Sequence, residues 1–434
     1  MTNPGQKLAS IYRKKLSRHT GLSLALLLAL PVFAVQSAPA QTFTILHNFT
    51  RGQDGANPWG GLTIDRAGNL YGTATQGGAT NCQGGCGTVF KLSQRNSSWT
   101  FSPLYVFNGM PDGAYPEGRL IFGSDGKLYG TTGEGGLQNQ NGQCEMVNQQ
   151  VGCGTIFSLR PPASFCHSVT CFWTEQQLYQ FTGNDDGARP TGDTVFDQAG
   201  NFYGTSFAGG PAGDGTVYAL SPSGGGWTQT VINAFNGGNG ANPFGGLTLD
   251  AAGNLYGTTE LGGQFAHAGT VFELTNTGSG WTETVLHNFN GTDGDEPLGG
   301  LVLDASGNVY GTTNHGGQGG GGGGMVFQVT DSGGSWMLNL LYDFHGIAGP
   351  WGDLIMDNSG SLYGTTLQDG MYGFGSVFKL TYSNGNWVFT TLHDFNGQDG
   401  ANPHGAIALD ANGNLYGTTA GGGSGNGIVW EITP

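Results

Sequence analysis

The residues of this chain that could do chemistry are carboxylates and aromatics set into repetitive, glycine-rich loops. An acidic loop of the form Asn-Gly-x-Asp-Gly-Ala-x-Pro, or a close variant, supplies Asp54, Asp112, Asp186, Asp293 and Asp399. Around it the repetition breaks, and Trp59, Glu117, Arg119, Arg189, Asp193, Glu296, Trp351, Asp353 and His404 stand where sibling copies differ. A second, Gly-Gly loop adds Gln76, Glu134, Glu260, His315 and Asp369. In a repeat protein, local function belongs where the copies differ, because what they share must build the common core.

Several chemistries compete for these side chains. Glu134 with Asp193 could act as acid and base on a glycosidic bond, although no spacing along the chain sets their separation. Asp293, Asp295 and Glu296 are the densest oxygen cluster and the candidates for Ca²⁺, without the full ligand ladder of a calcium loop. Trp59, Glu117, Arg119, Trp351, Asp353, His404 and His315 are the ligand-binding candidates, since an aromatic face beside polar groups suits a sugar ring. The plain alternatives stay open: the tryptophans pack between repeats, and the acids cap turns and solvate the surface. His315 heads a glycine run to Gly324, but the strand-like Met325-Val-Phe-Gln-Val follows instead of the helix that a phosphate loop requires. The sequence holds neither a Gly-x-Ser-x-Gly elbow nor a His-Glu-x-x-His pair. No catalytic residue and no cofactor is assigned with these signals.

The elements that position such loops show in the period of the sequence. Tyr-Gly-Thr recurs at Tyr71, Tyr129, Tyr203, Tyr256, Tyr310, Tyr363 and Tyr416, at spacings of 58, 74, 53, 54, 53 and 53. The two long intervals contain all six cysteines, so they are insertions into a unit of about 53 residues. Each unit carries four strand signals of 5–9 residues: Gly-x-Leu-x-x-Asp, Leu-Tyr-Gly-Thr-Thr, Gly-Thr-Val-Phe-x-Leu, and a run that opens with Trp and ends in Phe. An Asp-x-x-Gly-Asn turn joins the first two, its glycine supplying a positive φ. Four antiparallel strands in seven copies predict an all-β, seven-bladed β-propeller. The blades are expected at about 58–107, 116–181, 190–235, 243–289, 297–344, 350–395 and 403–433. The last copy stops after its third strand, and residues 42–49 supply the missing fourth: Thr44-Ile-Leu-His-Asn-Phe49 matches Thr284-Val-Leu-His-Asn-Phe289. Closure of the ring by that strand removes a free sheet edge.

Composition agrees with this and excludes other classes. Glycine accounts for 84 of 434 residues, which rules out a long helical bundle. Residues 1–40 read as a signal peptide: Lys7, Arg13, Lys14, Lys15 and Arg18 precede an apolar run, and Ala38-Pro39-Ala40 is a small-x-small cleavage site. Loss of the five leader cations takes the net charge from −16 to −21. That surface repels nucleic acid and anionic lipid. The mature chain, 41–434, carries no apolar run long enough for a membrane span and reads as a secreted monomer, periplasmic or extracellular. In an oxidising compartment the cysteines pair locally as Cys82–Cys86, Cys144–Cys153 and Cys166–Cys171. The composition and charge fit a binding or scaffold protein for an extracellular glycan or protein. The alternative is a polysaccharide hydrolase or lyase working through carboxylates at the channel mouth.

The combined motif, Asp-x-x-Gly-Asn-Leu-Tyr-Gly-Thr-Thr, then Gly-Gly, then Gly-Thr-Val-Phe, resembles the GloVer (Gloeo/Verruco) tandem repeat of bacterial exported proteins. The resemblance covers the whole mature chain and implies a propeller-like repeat fold without assigning an activity. Family members often carry a C-terminal sorting anchor, whereas no apolar tail or basic stop precedes Pro434 here. A more distant similarity to NHL and gluconolactonase-type propellers implies fold and no chemistry.

Overall fold

The computed structural model of the chain describes residues 41–434 apart from Ser97, 138–143, 145–151, 163–172, Ala266 and 318–321. Every element among the described residues is a strand, and the strands form seven four-stranded antiparallel sheets. Blade one runs from an inner strand at Thr63–Ile64 through Leu70–Ala74 and Thr88–Arg95 to an outer strand at Ser98–Val106. Blades two to six repeat that order. The molecule is a seven-bladed β-propeller. Blade seven takes its outer strand, Thr42–Asn48, from the other end of the chain, paired to Ile428–Thr433 from Thr42↔Thr433 to Asn48↔Ile428.

The repeat motif can be read atom by atom. Asp65 accepts hydrogen bonds from the Ala67 and Asn69 amides (both 2.9 Å), from Asn69 Nδ2 (2.7 Å) and from the Tyr71 hydroxyl (3.0 Å). One carboxylate therefore shapes the turn and orients the tyrosine that follows it. The ring of that tyrosine meets the tryptophan at the start of the next blade's outer strand, as in Tyr203–Trp281 (5.8 Å) and, across the closure, Tyr416–Trp99 (5.9 Å). The glycine after it is forced by contact: a Cβ on Gly72 would lie 2.6 Å from the Phe90 ring. The threonine then reaches the neighbouring blade, Thr258 Oγ1 donating to the Gly299 carbonyl at 3.0 Å and Thr418 Oγ1 to that of Gly60 at 3.2 Å.

Two features depart from the sequence expectation. The inner strands have only two residues each, below the 5–9 read from the motif. Their leading glycines (Gly60, Gly118, Gly192, Gly245, Gly299, Gly352 and Gly405) pack against the backbone of the next blade, several of them also against the threonine of their own second strand, as Gly60 does against Thr73. A Cβ on Gly299 would lie 2.7 Å from the Gly352 carbonyl oxygen, and one on Gly405 2.7 Å from that of Gly60. The axis is thus girdled by backbone, which only glycine permits. The second departure is a β-bulge in the outer strand of every blade. The extra residue is aliphatic each time (Leu46, Leu104, Leu178, Ile232, Leu286, Leu341, Leu392), and the bulge turns it into the inter-blade core.

The acidic loop and the Gly-Gly loop of a blade meet through backbone bridges, Ala56↔Gln76, Ala114↔Glu134 and Ala401↔Gly421 among them, so both loop families occupy one face. On that face Cys82–Cys86 and Cys144–Cys153 form disulfides with Cα separations of 5.0 and 5.4 Å. The Cys166–Cys171 pair lies outside the described residues. Among the described residues no helix is long and apolar enough to cross a membrane.

Candidate functional site

Each acidic loop ends in a proline, and the residue after that proline points the copy at the axis. Those seven residues are Trp59, Glu117, Thr191, Phe244, Leu298, Trp351 and His404, and together they line the channel mouth. Backbone geometry fixes their aim. The residue before the proline adopts a left-handed conformation in six copies, with φ between 52° and 55° at Asn57, Tyr115, Arg189, Asn242, Glu296 and Asn402. Two residues beyond the mouth position comes a second level, where Arg119, Asp193 and Asp353 interrupt otherwise small residues.

The upper level is an aromatic arc. Trp59 stacks on His404 (4.7 Å between centroids, 8° between planes), the edge of Trp351 meets His404 at 5.1 Å, and Phe244 meets Trp351 at 5.7 Å. His404 Nδ1–H donates to the Asn402 carbonyl at 2.9 Å. Burial lowers the His404 pKa to about 4, so the imidazole is neutral and packs as an aromatic.

Beneath the arc, Arg119 Nε lies 2.8 Å from Asp193 Oδ2, while Asp193 Oδ1 accepts the Arg119 amide at 2.7 Å. Asp353 accepts the Gly300 amide, and burial followed by repulsion from Asp193 raises its pKa to about 7. Arg119 also borders an apolar vestibule on the far side, formed by Ile64, Ile121, Met356 and Leu409. The charged cluster therefore stands at the waist of the channel.

Beside the mouth opens a bay shared by Trp59, Gln76, Tyr115, Glu117, Glu134 and Arg189. Burial pushes Glu134 up to about 8, with Arg189 opposing and Glu117 adding to the rise. Burial likewise pushes Glu117 up to about 7 against the pull of Arg189. Two carboxyls titrating near neutrality in one concavity are a combination that structural acids rarely need.

Six of the seven ligand-binding candidates therefore gather at the axis: Trp59, Glu117, Trp351 and His404 at the mouth, with Arg119 and Asp353 at the waist. His315 does not join them; its Nδ1 pairs with Glu296 Oε2 at 2.9 Å. Glu134 and Asp193 line different concavities, and the acid that Glu134 faces is Glu117. The loop acids serve their own turns. Asp54 accepts the Thr50 amide (2.9 Å) and pairs with His47 (3.1 Å), and Asp293 accepts the Asn290 amide (2.9 Å) and pairs with His287 (3.2 Å). Asp293 is thus engaged by His287 and Glu296 by His315, Asp295 Oδ1 has no hydrogen-bond partner among the described residues, and among those residues no three His, Cys, Asp or Glu side chains are grouped to hold a metal. Phe244, Thr191 and Tyr115 were missed by sequence reasoning. The signal that finds them is register, the position immediately after or before the loop proline.

The model of the Gloeobacter/Verrucomicrobia repeat matches residues 32–144, 145–349 and 269–434. The chain belongs to that repeat family. No functionally curated protein matches it. Solved structures similar to this member of the repeat family share its fold at low identity. The extracellular domain of a protein named as a one-component system, from B. thetaiotaomicron, matches with TM-score 0.51 and 10% identity over 86% of this chain. PorZ, a surface component of the type-IX secretion system of Porphyromonas gingivalis, matches with TM-score 0.52 and 16% identity over 87%. An ulvan lyase of polysaccharide lyase family PL25, bound to a GlcA–Rha3S saccharide, matches with TM-score 0.52 and 12% identity over 86% of this chain and 93% of its own. The repeat-family chain spans 38% of the length of the first of these and 46% of the second.

Proposed function

We propose that this repeat-family member is an exported glycan-binding propeller without turnover, its ligand lying across the channel mouth on Trp59 and Trp351. The observation that carries the reading is the aromatic arc at the mouth, in the register where sibling repeats differ, beside a bay in which Glu134 Oε2 has no hydrogen-bond partner among the described residues. Aromatic faces bind the C–H face of a pyranose while carboxyl and amide groups take its hydroxyls. Two disulfides and an acidic surface support export, in keeping with the leader read in residues 1–40. The named roles of PorZ and the ulvan lyase agree with a surface or glycan-related setting, although the likeness to them is one of fold.

A second reading, a polysaccharide hydrolase or lyase, is favoured by the raised pair Glu117 and Glu134. A glycan array on the purified protein, followed by reducing-end and unsaturated-uronate assays on each hit, separates the two. Binding without turnover, weakened about tenfold or more by Trp59→Ala or Trp351→Ala, supports the binding reading. Turnover that disappears in Glu134→Gln replaces it with the enzyme.

A further inference from the structure

The bay beside the mouth contains something that turn capping does not explain. Glu134 is 5% exposed, and its Oε2 has no hydrogen-bond partner among the described residues. Neither Glu134 nor Glu117 takes part in any of the ion pairs there. Burying a carboxyl without a partner is costly, and the cost is relieved when a ligand brings the missing donor. The nearest cation does not meet this need. Arg189 lies over the Phe207 ring at 5.1 Å, and its field is divided among Glu117, Glu134 and Glu260, the last adjoining Glu296. Three carboxyls thus share one guanidinium, and a bound cation offsets the excess.

The walls restrict what can carry that cation. The Trp59 indole bounds the bay on one side, and Asn57 and Gln76 present amides joined by a 3.2 Å hydrogen bond. Two walls are anchored by the disulfide loops: the Tyr115 amide donates to the Cys86 carbonyl (3.0 Å), and the Arg189 amide donates to that of Cys153 (2.8 Å). A flat aromatic, amides and paired acids on rigid supports match an amino-substituted pyranose.

We propose that the bay holds one hexosamine unit of a glycan, its free ammonium between Glu117 and Glu134 and its pyranose face against Trp59. This rests on the glycan-binding reading and names the sugar class. Below about pH 6 both carboxyls hold protons while an amino sugar is already an ammonium, so its arrival expels those protons and binding releases them to the buffer. Uronate and sulfate esters bring a negative charge and cannot displace those protons.

The test is calorimetry of the purified protein with glucosamine oligomers, their N-acetylated counterparts and oligogalacturonate, at about pH 5.5, where the amines are charged and both carboxyls protonated, in two buffers of different ionisation enthalpy. The glucosamine oligomers are expected to bind about tenfold tighter than the acetylated ones, the scale of one charge-assisted hydrogen bond, with protons released. Glu134→Gln should remove that preference and lower the proton release, whereas Trp59→Ala should weaken binding of both series. Equal affinity for both, absence of proton release, or equal competition by a lysine-rich peptide overturns the hexosamine site alone. Failure of every glycan to bind overturns the glycan-binding reading itself.

Discussion

Asp65 is repeated in kind seven times, and removing one copy measures what a single carboxylate contributes. Burial pushes its pKa up, but the hydrogen bonds from Asn69, Tyr71 and Ala67 outweigh it and hold the pKa below the ordinary value. That stabilisation is fully present above the unfolded carboxyl's pKa and is lost as pH falls through the folded one. Asp65→Ala should cost about 1–3 kcal/mol at neutral pH, and the gap in melting temperature from the parent should close in acid. Glu134 has the opposite sign. Its pKa is raised to about 8, so the folded state binds a proton that the unfolded state gives up, and stability falls as pH rises from the unfolded value toward 8. Glu134→Gln is expected to melt with the parent near pH 5 and above it at pH 8, a pattern readable by calorimetry. A constant offset across that range would show that burial of the charge is not what shifts the group.

At the scale of elements, the strands and turns were legible because each carries its own signal in its own residues. Asp-x-x-Gly-Asn makes a hairpin wherever it stands, and the Tyr-Gly-Thr strand repeats its partners blade after blade. The glycine girdle was legible as glycine but not as a girdle, since Gly299 meets Gly352 only once the ring has closed its angle. The bulged Leu or Ile was read as ordinary strand, because alternation alone does not reveal a skipped partner. The site was half legible for a related reason. Sibling comparison found Trp59, Trp351 and His404, whereas the pairing of Glu134 with Glu117 depends on how two loops cross one bridge, Ala114↔Glu134. Gly299→Ala tests the girdle. Its Cβ would meet backbone that cannot step aside, so the protein should lose about 1–3 kcal/mol, far more than a surface substitution.

At the scale of the molecule, seven sheets make one ring only if the strand at Thr42–Asn48 takes its place. Phe43 on that strand stacks on His393 of blade six at 3.8 Å and lies 6.3 Å from Trp430. Deleting residues 42–48 leaves an open sheet edge and uncovers that aromatic cluster. The truncated protein should melt well below the parent and self-associate, as light scattering would record, while a deletion of similar size in an exposed loop should do neither. Equal melting temperatures would mean that blade seven stands without its clasp.

The same clasp sets a timetable. Ser424 Oγ donates to the Phe49 carbonyl across 375 residues of chain, and contacts of such separation form late because the whole intervening loop must first be ordered. The strand made first is therefore the last to dock. It waits unpaired while six blades assemble behind it, and throughout that interval its amides can recruit the edge of another molecule. The yield of folded monomer on refolding should therefore fall as protein concentration rises, even where the finished ring is stable.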